Sequence, residues 1–417
     1  MARGFPPRGI LLPHDTTLIA TIAAAFVLAF GFGLLATLVR LPPLVGYLLA
    51  GVMMGPFTPG FVGDISLASQ LAEIGVILLM FGVGLHFSIP DLVSVWRIAV
   101  PGAIGQILVA TLLGAGVARL WGWNLPAAVM FGLSLSVAST VVLLRSLERQ
   151  GKLDSHEGRI AVGWLIVEDL VMVLALVLIP AVAQAINGDS ASSGLSLWMA
   201  LGLTLAKVAL FVVLALVVGV RIVPWVLERV ARTGSSELFT LGVLAVSLGV
   251  AFCSAALFGV SFALGAFFAG VILSESDLSH RAGERLLPLQ DAFAVLFFVS
   301  VGMLFDPGIL LREPLRVLVV LAIIVVGKSV AAFAIVLLFR HAVGTALTVS
   351  ASLAQIGEFS FILAALAVSL NLLPPEGRDL VLAGAILSIT LNPLFFAIQP
   401  RIERWLGVKS AATVPGA

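Results

Sequence analysis

The sequence predicts an all-α polytopic membrane protein with thirteen transmembrane helices arranged as an inverted repeat. Three observations lead there: the composition, the placement of Lys and Arg between apolar runs, and short motifs that recur in the same order. Of 417 residues, 60% are hydrophobic and 11% charged, which is far from a soluble domain. A net charge of +1 gives no electrostatic footprint for nucleic acid. The one cysteine, Cys253, lies in an apolar run. It cannot form an intrachain disulfide and is expected to serve in packing. His14, His86, His156, His280 and His341 fall near predicted helix ends without metal-ligand spacing, so no metal centre is expected from them.

A membrane-crossing helix needs about 20 mostly apolar residues. The first such run, 17–39, follows an N-terminus without a cleavable signal pattern and is expected to remain as a span. The next, 43–60, is short and glycine-rich, as is the ninth, 259–275. Spans three and four are 67–88, with Glu73 in its first turns, and 97–120. The fifth, 125–147, is interrupted by Ser134-Leu135-Ser136-Val137-Ala138-Ser139-Thr140. The sixth, 159–185, carries Glu168 and Asp169 near its middle. Spans seven and eight are 196–229, with Lys207 inside it, and 236–257. The tenth is 288–305, and the eleventh, 314–340, holds Lys328. The twelfth, 343–370, is interrupted from Ser350 to Ser360, and the last is 377–405.

Basic residues support this count. With the C-terminus in the cytoplasm, fifteen Lys and Arg lie inside, six outside, and Lys207 and Lys328 within spans. That asymmetry obeys the positive-inside rule.

The chain also repeats itself. Tyr47-Leu48-Leu49-Ala50-Gly51-Val52 matches Ala266-Phe267-Phe268-Ala269-Gly270-Val271. Met80 to Phe87 matches Phe298 to Phe305. Gly51 and Gly84 are 33 residues apart, and Gly270 and Gly302 are 32 apart. A further 55 residues lead from Gly84 to Ser139 and from Gly302 to Gly357, the polar centres of two apolar spans. Gly105-Gln106 likewise matches Gly327-Lys328. An offset of seven spans gives the halves opposite topology, placing the repeats at spans 2–6 and 9–13. Inverted repeats with a site at their interface are typical of secondary transporters.

Chemistry concentrates at four places. Two carboxylates deep in a span are costly, roughly 2.5–3.5 kcal/mol for an acid at the bilayer centre, and commonly mark an ion or proton pathway. A structural ion pair between helices is the competing explanation. Glu168 and Asp169 point about 100° apart on a helix, so one is expected to face the path and the other a neighbouring helix or Lys328. The Ser-rich runs of spans five and twelve can unwind beside a wet cavity, leaving half-helix ends to coordinate ions. Small residues that merely let helices pack closely would look similar. Glu358 and Gln355 sit in the second run, and Glu358 can neutralise half-helix N-termini. Lys328 lies too deep to snorkel easily and is expected to pair with Asp169 or Glu168. Glu73 and Lys207 are less informative; Lys207 suits a subunit contact.

These residues, in this order, resemble the Kef-type and YbaL-like members of the cation:proton antiporter family 2. The resemblance rests on Pro43-Leu44-Val45-Gly46-Tyr47-Leu48-Leu49-Ala50-Gly51, Ala72-Glu73-Ile74-Gly75-Val76, Ala138-Ser139-Thr140, Glu168-Asp169, Phe262 to Gly270, and Gln355-Ile356-Gly357-Glu358-Phe359. It implies an NhaA-like antiporter fold with two crossed discontinuous helices in a homodimer in the inner membrane. A core (97–185 and 314–405) would slide on a dimerisation scaffold (17–88 and 196–305). It further implies that Asp169 binds K⁺ or Na⁺ and protons in turn, with Glu168, Ser139 and Thr140 beside it. Lys328, Glu358 and Gln355 would serve charge compensation and coupling. No cofactor beyond the transported ions is expected, and no enzymatic activity. Relatives usually carry Gln where this chain has Glu168, which bears on stoichiometry. The acidic run of the glutathione-gated Kef loop is missing from 279–285, so that gating is not carried over. A nucleotide-binding regulatory domain or subunit, common in the family, is expected outside this chain. The expected function is K⁺/H⁺ exchange. Na⁺/H⁺ exchange, sodium-coupled anion symport and a gated K⁺ channel are the alternatives.

Overall fold

The computed structural model describes residues 17–59, 62–85, 89–153, 155–186, 197–274 and 276–405. Arg3, Arg8, His14, His86 and Lys409 lie outside them. The described chain is helical, without strands: α1 (Thr17–Leu38), α2 (Pro43–Met54), α3 (Ile65–Leu85), α4 (Ile89–Leu120), α5 (Leu125–Ser134), α6 (Thr140–Arg149), α7 (His156–Ile186), α8 (Leu197–Leu214), α9 (Val220–Ala231), α10 (Ser236–Phe258), α11 (Phe262–Ser274), α12 (Ser279–Met303), α13 (Ile309–Arg312), α14 (Pro314–Ala322), α15 (Lys328–Leu338), α16 (Val343–Leu353), α17 (Glu358–Ser369) and α18 (Pro375–Trp405). The protein is a multi-pass membrane protein. Among the described residues, nine helices are long and apolar enough to cross a bilayer, and α16 with α17, bent by 44°, makes a tenth. The other three predicted spans fall on shorter apolar helices: α2, α11, and α5, which continues into the polar α6.

Two spans contain π-helical turns, Ala215–Gly219 between α8 and α9 and Ile323–Gly327 between α14 and α15. Such turns are rare and frequent at functional sites. The second ends directly at Lys328.

Packing divides the helices into two groups. In one, α3 lies against α11 and α12, and α2 against α1 and α12. In the other, α4 lies against α5 and α7, and α15 against α16 and α4. Close approaches hold the first group together. A Cβ on Gly51 would fall 2.8 Å from Cα of Gly302, and one on Gly270 would fall 2.9 Å from the carbonyl carbon of Gly84. The sequence paired Gly51 with Gly270 and Gly84 with Gly302. Exchanging the members of each pair turns one contact into the other. The sequence left span 1 outside the repeat. In the structure α1 packs along α2, and α10 packs along α11.

Cys253 corrects an expectation. It is exposed on α10 rather than packed inside. Glu73 and Lys207 are exposed as well. Lipid tails are as apolar as a protein core, so an apolar run alone does not tell a lipid-facing position from a buried one.

Candidate functional site

The site forms where two helices break. Between α5 and α6 the chain leaves helical geometry at Ser136–Ser139, and between α16 and α17 at Ala354–Gly357. Side chains cap the backbone groups freed at the breaks. Ser139 Oγ accepts the Val142 N–H at 3.3 Å and starts α6, as an N-cap serine does. Gln106 Nε2 donates to the Ser136 carbonyl at 2.9 Å, and Lys328 Nζ donates to the Gln355 carbonyl at 2.9 Å. Gln106 and Lys328 are the pair that the repeat matched. Each half therefore uses one buried nitrogen to satisfy a carbonyl that an unbroken helix would have used itself.

The two breaks also bind each other. Gln355 Oε1 accepts the Ser139 N–H at 2.9 Å, and its Nε2 donates to the Ser139 carbonyl at 3.2 Å. A side chain on Gly357 would collide with Ser139, so the contact needs glycine. Asn392 on α18 donates to the Ala351 carbonyl at 2.9 Å, anchoring the end of α16.

Glu168 and Asp169 face different surroundings. Glu168 is fully buried, and its Oε2 accepts the Ala138 N–H at 2.9 Å at the start of α6. Lys328 is its opposite charge, without approaching to ion-pair distance. Asp169 lies one residue on and turns into a cavity, where Thr140 Oγ1 donates to its Oδ2 at 3.1 Å. Glu358, in the first turn of α17, lines the same cavity. Asp169 Oδ1 is buried without a hydrogen-bond partner, and the buried Glu358 carboxylate lies against Ser139, Thr140 and its own backbone. Four hard oxygens, counting the Thr140 hydroxyl, thus converge on one space. Such donors suit alkali cations and protons rather than soft metals. Among the described residues no three His, Cys, Asp or Glu cluster as a transition-metal site would require.

The cavity measures about 450 Å³ and runs from Asp169 and Glu358 past Thr140 and Leu144 to Glu148 and Leu153. Glu148 is exposed, so the cavity reaches the surface there. Gln290 of α12 forms part of the facing wall. Of the residues singled out in the sequence, Asp169, Thr140 and Glu358 meet in the cavity. Ser139, Gln355, Glu168 and Lys328 build the breaks behind it. Gln290 and Glu148 were missed. Glu148 is eight residues after Thr140 and so lies on the same helical face; that spacing is the signal that could have found it.

Comparison with known proteins bears on family and fold. Residues 22–398 match the family described as "Sodium/hydrogen exchanger, transmembrane". YbaL of Escherichia coli (strain K12), to which cation/proton antiport is ascribed, is 62% identical over 394 residues, covering 94% of this chain and 70% of YbaL. K(+) efflux antiporter 4 of Arabidopsis thaliana is 32% identical over 412 residues, covering 97% of this chain and 68% of that protein. The structure of the sodium proton antiporter MjNhaP1 from Methanocaldococcus jannaschii superposes with a TM-score of 0.69 at 17% identity, covering 93% of this chain and 98% of that one. The last likeness is one of fold.

Proposed function

Because the chain belongs to the transmembrane sodium/hydrogen exchanger family of cation/proton antiporters, we propose that it exchanges K⁺ for H⁺, with Asp169 and Glu358 holding cation and proton in turn. The observation that carries this reading is that two buried carboxylates, Asp169 with its Oδ1 lacking a hydrogen-bond partner and Glu358 beside Ser139 and Thr140, line one cavity. A carboxylate pair in that position holds a proton or an alkali cation, but the two carboxylates repel when both are charged and empty. Each ion therefore displaces the other, which is the coupling that exchange requires. The name of the plant relative favours K⁺ over Na⁺.

The count of thirteen passes takes α2, α11, α5 with α6, and α16 with α17 as crossings. The two broken spans cross at Ser139 and Gly357. The glycine contacts and the matched caps of Gln106 and Lys328 support an inverted repeat. Alternating access then moves a core of 97–185 and 314–405 against a scaffold of 17–88 and 196–305. The two packing groups support that division, and Lys207 and Cys253, exposed on the scaffold, suit a homodimer contact or lipid. The cavity opens at Glu148 and Leu153, on the stretch that also carries Arg145, Arg149, Lys152 and Arg159 and that the positive-inside rule assigns to the cytoplasm. On this reading the C-terminus of the cell-membrane protein is cytoplasmic and the cavity faces inward. A regulatory nucleotide-binding domain or subunit would join from the same side.

Glu168 has a different role from Asp169. It holds the start of α6 through Ala138 and balances Lys328, which in turn caps Gln355. The test is exchange in proteoliposomes under imposed K⁺, Na⁺ or proton gradients. Asp169→Asn is expected to abolish exchange while the protein stays folded. Full K⁺/H⁺ exchange by that variant would overturn the reading, and exchange driven by Na⁺ alone would change the cation.

A further inference from the structure

Helix α6 separates two cavities. Thr140, Leu144 and Glu148 line the ion cavity, while Val142, Arg145, Ser146 and Arg149 line a second cleft of about 180 Å³. Val141 borders both. The far walls of the cleft are Pro42, Pro43 and Leu44 at the start of α2 and Pro393 and Phe396 of α18. Its floor is therefore apolar and its rim carries two arginines one helical turn apart. Among the described residues neither guanidinium takes part in an ion pair. The N-terminus of α2, a 12-residue helix, adds a partial positive charge on the opposite rim. Exposed apolar residues beside the cleft, Leu38, Val39 and Leu394, continue it toward the hydrocarbon.

We propose that this cleft binds an anionic phospholipid of the cytoplasmic leaflet, its phosphate between Arg145 and Arg149 and its first acyl carbons against Leu44, Val142 and Phe396, and that the bound lipid slows exchange. The chemistry of the occupant follows from the walls. A soluble anion would have no use for an apolar floor, and a neutral lipid would leave two guanidinium groups without a counter-charge. The brake follows from where the walls come from, and it rests on the division into core and scaffold proposed above. Pro42 to Leu44 belong to the scaffold, and Val141 to Gln150, Pro393 and Phe396 to the core. A molecule seated on both resists their sliding.

Binding is read by the melting shift of the purified full chain in detergent, titrated with phosphatidylglycerol, phosphatidylcholine or glycerol 3-phosphate. Phosphatidylglycerol alone is expected to raise the midpoint. The variant R145Q/R149Q should weaken its affinity roughly 25-fold, at about fivefold per basic residue near an anionic headgroup. The variant R401Q/R404Q, which removes two other basic residues from the same membrane face, should change it less than twofold. Should R145Q/R149Q fail to fold, Val142→Trp fills the floor and is expected to give the same loss. Equal losses in both arginine pairs, equal shifts from phosphatidylcholine, or glycerol 3-phosphate binding as well as the lipid would each overturn the site. In proteoliposomes, adding phosphatidylglycerol should slow wild-type exchange several-fold and leave R145Q/R149Q unaffected. Tight lipid binding without slowing would overturn the brake. A protein that exchanges no cation at all would count against the transport reading, and the melting titration would still decide the lipid site.

Discussion

Gln355 Oε1 accepts the Ser139 N–H at 2.9 Å, so the break in one helix is held by a side chain from the break in another, 216 residues away. The single amide makes three bonds, two to Ser139 and one to the Ser352 carbonyl at 3.3 Å. Gln355→Ala leaves a buried N–H without a partner, which costs about 1–3 kcal/mol. The melting midpoint is expected to fall and exchange to drop. Gln355→Glu keeps an acceptor for Ser139 but loses the donors, so an intermediate result is expected. An alanine variant with unchanged melting would mean that the breaks are held by other contacts.

Glu358 and Glu168 are expected to respond differently to loss of charge. Glu358→Gln removes one of the two carboxylates at the end of the cavity. Purified protein should then release fewer protons when K⁺ is added, and bind K⁺ more weakly. Glu168→Gln keeps an oxygen to accept the Ala138 N–H, so exchange should survive with altered pH dependence. Proton release recorded with a pH dye, together with K⁺ titration, separates the two. Normal proton release by Glu358→Gln would remove that residue from the site.

Lys328 is buried, balances Glu168 and caps the Gln355 carbonyl. Lys328→Met strands both partners, and removing one member of a buried charge pair costs about 3–5 kcal/mol. Adding Glu168→Gln should recover part of that loss, because the stranded charge is gone. Melting of the two single variants and the double variant forms the cycle that measures the coupling. Strictly additive losses would show that the two side chains do not interact.

On the face opposite the cavity mouth, Arg378 of α18 reaches the Leu304 carbonyl at the end of α12, 3.1 Å away, and stays beside Asp379. This bond joins the proposed core to the proposed scaffold while the cavity is open on the other side. Arg378→Ala should therefore lower the inward-facing population about fivefold, the worth of one modest hydrogen bond. A Val83→Cys probe in the cavity wall, in a Cys253→Ser background, reports this through its rate of modification by a maleimide supplied from the Glu148 side. An unchanged rate would mean that the bond does not bias the two states.

Much of the site was legible because membranes penalise polar groups severely. Asp169, Glu358 and Lys328 stood out as charges inside apolar runs, and the Ser-rich runs marked both breaks. The 100° between neighbouring helical residues separated Glu168 from Asp169. The sequence could not say that Glu358 would share a cavity with Asp169 while Lys328 turned to Glu168, since that depends on how α17 enters from its break. Gln290 lay close to a predicted helix end, where polar residues are ordinary. Cys253 was misjudged because hydropathy carries no information about which side of an apolar helix faces lipid.

The contacts Gly51 to Gly302 and Gly84 to Gly270 have a historical consequence. When residue i of one unit meets j of another, and j of the first meets i of the second, the contact is that of a symmetric dimer of identical chains. In the inverted repeat proposed above the two units would be joined head to tail, and the repeat would exchange one contact for the other. In a half-length ancestor that paired with a copy of itself, one change to glycine would have tightened both membrane faces at once. Duplication and fusion of such a unit would let the two faces vary separately. The intervals already differ by one residue, 33 on one side against 32 on the other.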